Sequence, residues 1–334
     1  MLSSVIFGSM ELIEINQVNC VIKDKPALTN ISLAFRRGEN TAIIGETGSG
    51  KSTLLKAIAG LVQPDSGKIF LDGKKVLGPA EKLIPGNDAI AYLSQHYELP
   101  IHLRVEQALE YANTLASGEE AGLYRICRIE HLMKRKTHEL SGGEKQRIAL
   151  VRLLLGSPKV LLLDEPFSNF DNIHKNEMMQ IVQDISRKWD ITCVMVSHIP
   201  KDVLSWSDRI VAMRGGNIVQ DGSPEYVYRR SNSQYVAGLL GDYNLLNGKE
   251  LSQMGFSHFL EGKLYMVRPE SFHVVLPETA HLAGKVLERC FLGLGYQLLV
   301  EVNNVIVKIF TQYQYLQQGN KVYLQLATGD ISKM

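Results

Sequence analysis

At 334 residues the chain has room for two domains, and 45% apolar with 21% charged residues is the make-up of a globular protein that folds without disulfides or a structural metal. Lys+Arg 36 against Asp+Glu 35 leaves a net charge of +1, which excludes a global field drawing the chain to nucleic acid or anionic lipid. No apolar run approaches the ~18 residues of a membrane span.

The first nine residues lack a basic segment and are too short for a secretory signal, so they read as a leader, with Met10 a second candidate start. From about residue 11 to 240 strand and helix patterns alternate. Asn40–Ile44 is β-rich, Gly45 to Gly50 follows, and Ser52–Ala59 is a helical stretch closed by Gly60. Residues 96–157 are mostly helical in pattern, with Val105–Ala112 and Lys145–Leu155 the clearest segments, and read as a helical insert. Val160–Leu163 and Thr192–Val196 are continuous apolar runs, the signature of parallel strands buried on both faces. The expectation is an α/β core with a parallel sheet. From about 245 to 334 the style changes to short alternating strands: Tyr296–Val302 and Val305–Phe310 flank Asn303-Asn304, a two-residue turn tolerant of positive φ, and Lys321–Leu326 follows. That segment predicts a small all-β module.

Gly45-Glu46-Thr47-Gly48-Ser49-Gly50-Lys51-Ser52 fits G-x-x-x-x-G-K-[ST], the P-loop, between a strand and a helix as the motif requires. Its glycines let successive N–H groups face phosphate oxygens, Lys51 reaches the β/γ-phosphates, and the Ser52 hydroxyl can ligate Mg²⁺. The helix that follows adds the positive end of its dipole. Val160-Leu-Leu-Leu-Asp164-Glu165 is an apolar strand ending in two acids. Asp164 suits support of Mg²⁺ beyond its direct ligands, and Glu165 can polarise a water as general base. Leu140-Ser141-Gly142-Gly143-Glu144 opens a helix that Ser141 caps, a second anion site at a helix N-terminus. One nucleotide needs no second such site unless it is shared between two copies.

With these motifs in this order the sequence resembles the ATP-binding-cassette (ABC) ATPases, whose signature motif is LSGGQ-like. The resemblance covers about residues 11 to 235 and continues through Gln95 (the Q-loop), Ser168-Asn-Phe-Asp171 (the D-loop) and His198 (the switch histidine). It implies a P-loop NTPase core that binds and hydrolyses ATP with Mg²⁺. Gly45 to Lys51, Ser52, Thr53 and Gln95 would bind the nucleotide and ion, with Lys51, Glu165 and His198 in the catalytic roles. It also implies a head-to-tail dimer in which Ser141, Gly142, Gly143 and Glu144 of one copy cover the nucleotide of the other. Glu144 stands where Gln is commoner, and no aromatic residue lies near Val21 or Ile22, where the family stacks adenine. An aliphatic platform there implies weaker discrimination between ATP and GTP.

The order Gly222-Ser-Pro224, Val267-Arg268-Pro269-Glu270 and Phe291-Leu-Gly293 looks like the C-terminal extension of bacterial importer ATPases, which ends in an oligonucleotide-binding-like (TOBE) barrel. Those importers carry sugars, polyamines, ferric iron, sulfate or molybdate. The resemblance therefore implies a peripheral subunit on the cytoplasmic face of the inner membrane. It would work with transmembrane permease subunits and, indirectly, a substrate-binding protein. Two other readings stay open: an exporter or lipoprotein-release ATPase, and a non-transport cassette ATPase. No basic patch interleaved with aromatics predicts nucleic-acid binding. His96–His102 is read as a receiver of the permease's coupling helix. Lys134-Arg-Lys136 is read as a solvated turn, and Trp189 and Trp206 as packing on the core edge. Cys127 and His131, at i, i+4 with His138 nearby, are read as ordinary helix residues rather than a metal site. Cys20, Cys127, Cys193 and Cys290 have no framework spacing, which suits a reducing compartment.

Overall fold

A computed structural model of the chain describes residues 11–94, 99–116, 118–167 and 171–334. Gln95, Ser168 and the first part of the expected coupling segment lie outside the described residues. The chain divides into two compact units between Asp221 and Gly222.

The first unit is built on a six-stranded sheet, in the order Asn217–Gly222, Arg209–Arg214, Thr41–Ile44, Thr192–Val196, Val160–Asp164 and Ile90–Leu93. The inner strands run parallel. Every residue of Thr41–Ile44, Val160–Asp164 and Thr192–Val196 is buried, as their unbroken apolar runs require. Ile43 pairs with Val196, and Val196 with Asp164, so three neighbouring strands end level. The chain segments that leave them, beginning at Gly45, Glu165 and Ser197, emerge along one edge of the sheet. An antiparallel sheet, ordered Lys25–Arg36, Glu11–Ile22, Ser66–Leu71, Lys74–Lys75, contributes Leu12, Ile15 and Phe35 to the core that also holds Leu54, Ile58 and Val194.

The insert is helical but in short pieces: Val105–Glu110, Glu120–Ile126 and Gly142–Leu154, with 3₁₀ turns at Glu130–Leu132 and Thr137–Glu139. The first helix stops two residues before the apolar pattern does. Thr114 explains this, since its N–H and its hydroxyl both donate to the carbonyl of Leu155 and pull the chain out of the helix. Cys127 and His131 do not share a helical face: Cys127 ends the helix Glu120–Ile126 and His131 sits in the next 3₁₀ turn. No group of three His, Cys, Asp or Glu among the described residues is arranged for a metal. Trp189 is 37% exposed, but Trp206 is 4% exposed and belongs to the interior rather than to its edge.

The second unit has a five-stranded antiparallel sheet, ordered His273–Val274, Lys321–Gln325, Leu282–Phe291, Tyr296–Val302 and Val305–Thr311. Beside it lies a three-stranded sheet of Asn244–Asn247, Leu264–Val267 and Ser332–Lys333. Together they make an antiparallel, OB-like half-barrel. Leu298, Val300, Val302, Val305, Val307 and Ile309 alternate inward to fill its core. Asn303 and Asn304 take φ 48° and 64°, the left-handed pair that a two-residue hairpin needs. The helices Pro224–Arg229 and Gln234–Leu240 belong to this unit, so the break falls before them and not in the expected interval 240–245. Arg268 is the reason. Buried at 2% exposure, it donates to the carbonyls of Tyr228, Ala237, Gly241 and Asp242 and lies over the Tyr228 ring.

Cys20, Cys127 and Cys193 are buried, which pushes their thiols up to about 11, 12 and 12, whereas Cys290 is exposed. No described helix is long and apolar enough to cross a membrane.

Candidate functional site

The Gly45–Gly50 turn is shaped by close backbone approach. A Cβ at Gly45 would sit 2.3 Å from the Met213 carbonyl oxygen, and one at Gly50 2.3 Å from that of Ala27, with Gly50 at φ 101°. Neither position tolerates a side chain. Lys51 is 6% exposed and opens the helix Lys51–Ile58. Its ammonium donates to the carbonyls of Gly45 at 2.9 Å and Glu46 at 2.8 Å, spanning the mouth of its own loop. Burial draws the Lys51 ammonium below the usual lysine value, while Glu165, Asp164 and Glu46 pull it back upward.

Asp164 is 6% exposed and held through both oxygens: the Ser52 hydroxyl donates to Oδ1 at 2.8 Å and the Tyr92 hydroxyl to Oδ2 at 2.8 Å. Burial and that carboxylate together push the Tyr92 phenol far above its ordinary range, so it stays a donor. Glu165 follows in the left-handed region at φ 46°, uncommon for a residue with a Cβ, with its N–H on the Val196 carbonyl at 3.1 Å. This turn at the strand end aims its carboxylate at His198, whose Nδ1 is 3.5 Å from Oε2. A hydroxyl, a clamped carboxylate, a cation and a carboxylate–imidazole pair thus share one edge of the sheet.

Ser141 lies at the exposed N-terminus of the 13-residue helix Gly142–Leu154. The Glu144 N–H donates to Ser141 Oγ at 3.3 Å and the Ser141 N–H to Glu144 Oε2 at 2.7 Å, a reciprocal cap that Glu serves as well as Gln. That backbone hydrogen bond holds the Glu144 carboxyl below its usual range. Arg135, in the exposed stretch Lys134–Lys136, also meets Glu144 at 3.1 Å and the Glu139 carbonyl at 2.8 Å. From the same helix the amide of Gln146 donates to the carbonyl of Pro166, next to Glu165. Asp171 caps the helix Asn172–Trp189, its Oδ1 accepting from the N–H groups of Ile173 and His174. Val21 and Ile22 are exposed, at 51% and 42%.

Lys51, Ser52, Asp164, Glu165 and His198 therefore come together, and Ser141 to Glu144 form a separate helix terminus. Two partners escaped the sequence: Tyr92, whose only signal is a polar-tipped residue in a strand beside the acid strand, and Arg135, hidden in a run of cations.

A family model described as ABC transporter matches residues 28–168. The spermidine/putrescine import ATP-binding protein PotA of Clostridium acetobutylicum is 30% identical over 97% of this chain and 96% of its own length. The protein of the same name from Escherichia coli (strain K12) is 31% identical over 88% and 84%. Among solved structures, CbiO1 of Clostridium perfringens, part of the ABC transporter complex CbiONQ, is similar with TM-score 0.58 and 28% identity over 66% of this chain and 91% of that one. MJ1267, an ATP-binding cassette in its ADP conformation, shares the fold with TM-score 0.58 at 23% identity, over 70% and 100%.

Proposed function

Because the chain belongs to the ABC transporter ATPases, we propose that the sheet edge carrying Gly45–Ser52, Asp164, Glu165 and His198 is its hydrolytic centre and that a second copy completes it. The protein is an ATP-hydrolysing subunit of a bacterial ABC importer. The observation that carries the site assignment is the juxtaposition of Lys51, the Ser52–Asp164 pair and the Glu165–His198 pair.

Backbone N–H groups of the P-loop and the Lys51 ammonium bind the β/γ-phosphates. Glu165 takes the proton of the attacking water, and His198 contacts the γ-phosphate from the far end of the same pair. Ser52 Oγ and Asp164 Oδ1, 2.8 Å apart, are hard oxygen donors of the kind Mg²⁺ takes, so Ser52 with Gln95 would hold the ion and Asp164 would orient Ser52. When bound, the ion neutralises charge on the phosphate oxygens. Val21 and Ile22 supply an aliphatic platform for the base. Ser141, Gly142, Gly143 and Glu144 of a second copy close over the nucleotide, with Ser168 and Asp171 at the same interface. Transmembrane permease subunits and, through them, a substrate-binding protein are the remaining partners, placing the subunit on the cytoplasmic face of the membrane. The second unit is a TOBE-like module. The relatives' names support a polyamine as cargo.

Glu165→Gln keeps size and hydrogen bonding but removes the base, so with Mg-ATP it should bind, hydrolyse very slowly and elute from size exclusion as a dimer. Adding Ser141→Arg should return it to monomer while each P-loop still binds nucleotide. A dimer that survives Ser141→Arg rejects the shared site. For the cargo, deletion in the host should abolish uptake of labelled putrescine or spermidine; unchanged uptake rejects the polyamine reading.

A further inference from the structure

Two charged side chains of the first unit, accounted for by no motif, are buried against each other. Lys175, in the helix Asn172–Trp189, has a side chain 10% exposed, and Asp202, in the helix Pro200–Trp206, one 4% exposed; Lys175 Nζ is 2.9 Å from Asp202 Oδ1. Desolvating both charges is costly, and an apolar pair of similar volume generally serves stability as well or better. Asp202 Oδ2 is also buried without a hydrogen-bond partner among the described residues, so the pair is not even fully satisfied. Stability alone is a poor reason for it.

Its location gives a better one. The Lys175 N–H bonds to the carbonyl of Asp171 at 3.0 Å, one turn into the helix that Asp171 caps. The Asp202 N–H bonds to the carbonyl of Ile199 at 3.2 Å, and the Ile199 N–H in turn to Ser197 Oγ at 3.2 Å, which ties Asp202 to the turn bearing His198. Asp202 further lines a cavity of about 10 Å³ together with Glu165, Ser197 and His198. The ion pair bolts the helix start at Asp171 to the turn that sets the imidazole beside Glu165.

We infer that Lys175 and Asp202 are positioning residues for ATP hydrolysis, fixing His198 and Glu165 relative to the start of the Asp171-capped helix. This rests on the proposed roles of Glu165 and His198. The pair acts by holding the turn that bears His198.

The test compares wild type, Lys175→Met, the apolar double variant Lys175→Met/Asp202→Leu, and Lys175→Arg in the full chain, by thermal unfolding and steady-state ATPase. Lys175→Met should lose both stability and turnover, because it strands a buried carboxylate. The double variant should regain the wild-type Tm yet stay roughly tenfold down in kcat, with KM for ATP within about twofold. Lys175→Arg should restore kcat. Wild-type kcat in the double variant, or a raised KM at unchanged kcat, overturns the inference. Should the double variant fail to fold, Asp202→Asn carries the same split: reduced kcat at constant KM supports positioning, and wild-type kcat rejects it. Full turnover in Lys51→Ala would instead reject the hydrolytic centre itself, so the two failures are distinguishable.

Discussion

Lys51 is enclosed by its own loop: its ammonium is within hydrogen-bond reach of two loop carbonyls, and burial draws it below the usual lysine value against the upward pull of Glu165, Asp164 and Glu46. Lys51 is the buried cation inside the proposed phosphate loop, so Lys51→Ala should abolish ATPase activity in a phosphate-release assay; near wild-type turnover would reject the assignment. Such residues are legible in sequence because the motif is contiguous and its geometry local. Tyr92 is not, although it completes the clamp on Asp164 from 72 positions away. Only the pairing of Ile90–Leu93 with Val160–Asp164 brings the two together, and a strand pairing leaves no mark in local pattern. Lys175 and Asp202 were equally invisible, because only the meeting of two separate helices brings them together.

Among the elements, the helix Gly142–Leu154 shows how a departure from the usual motif is accommodated. Its cap at Ser141 needs an acceptor three residues on, and Glu144 provides one while Arg135 balances its charge. Because the folded carboxyl titrates below its unfolded value, the charged form stabilises the native state above the ordinary carboxylate pKa. That contribution disappears as pH falls through the lower, folded value. Glu144→Gln should therefore cost about 0.3–1 kcal/mol at neutral pH, and in urea titrations the difference should start to shrink near the ordinary Glu value of about pH 4.3 and close only at more acid pH. A constant difference across pH would mean the charge plays no part. The capping box was readable from Ser141 and Glu144 alone. The short helices of the insert were not, since hydrogen bonds such as Thr114 to Leu155 end them from outside the helix.

For the whole molecule, the alternation after residue 245 announced a second, β-rich unit, but its true start was hidden. A charged side chain fixes it: Arg268 gathers carbonyls from Tyr228, Ala237, Gly241 and Asp242, and so binds two helices to strands far along the chain. Arg268→Met should leave those acceptors unmet and destabilise the second unit by about 3 kcal/mol, read as faster hydrogen exchange across 222–334. Unaltered exchange there would show that the helices are held by other contacts. The cysteines divide along the same units. Three thiols are buried and stay protonated at neutral pH, and all three belong to the first unit. Cys290, exposed on the second unit, is then the one thiol of the four open to maleimide chemistry. The unaltered chain thus accepts a dye or spin label at a single known place, and in an assembly of two copies the label-to-label distance can be followed through the nucleotide cycle without removing any native cysteine.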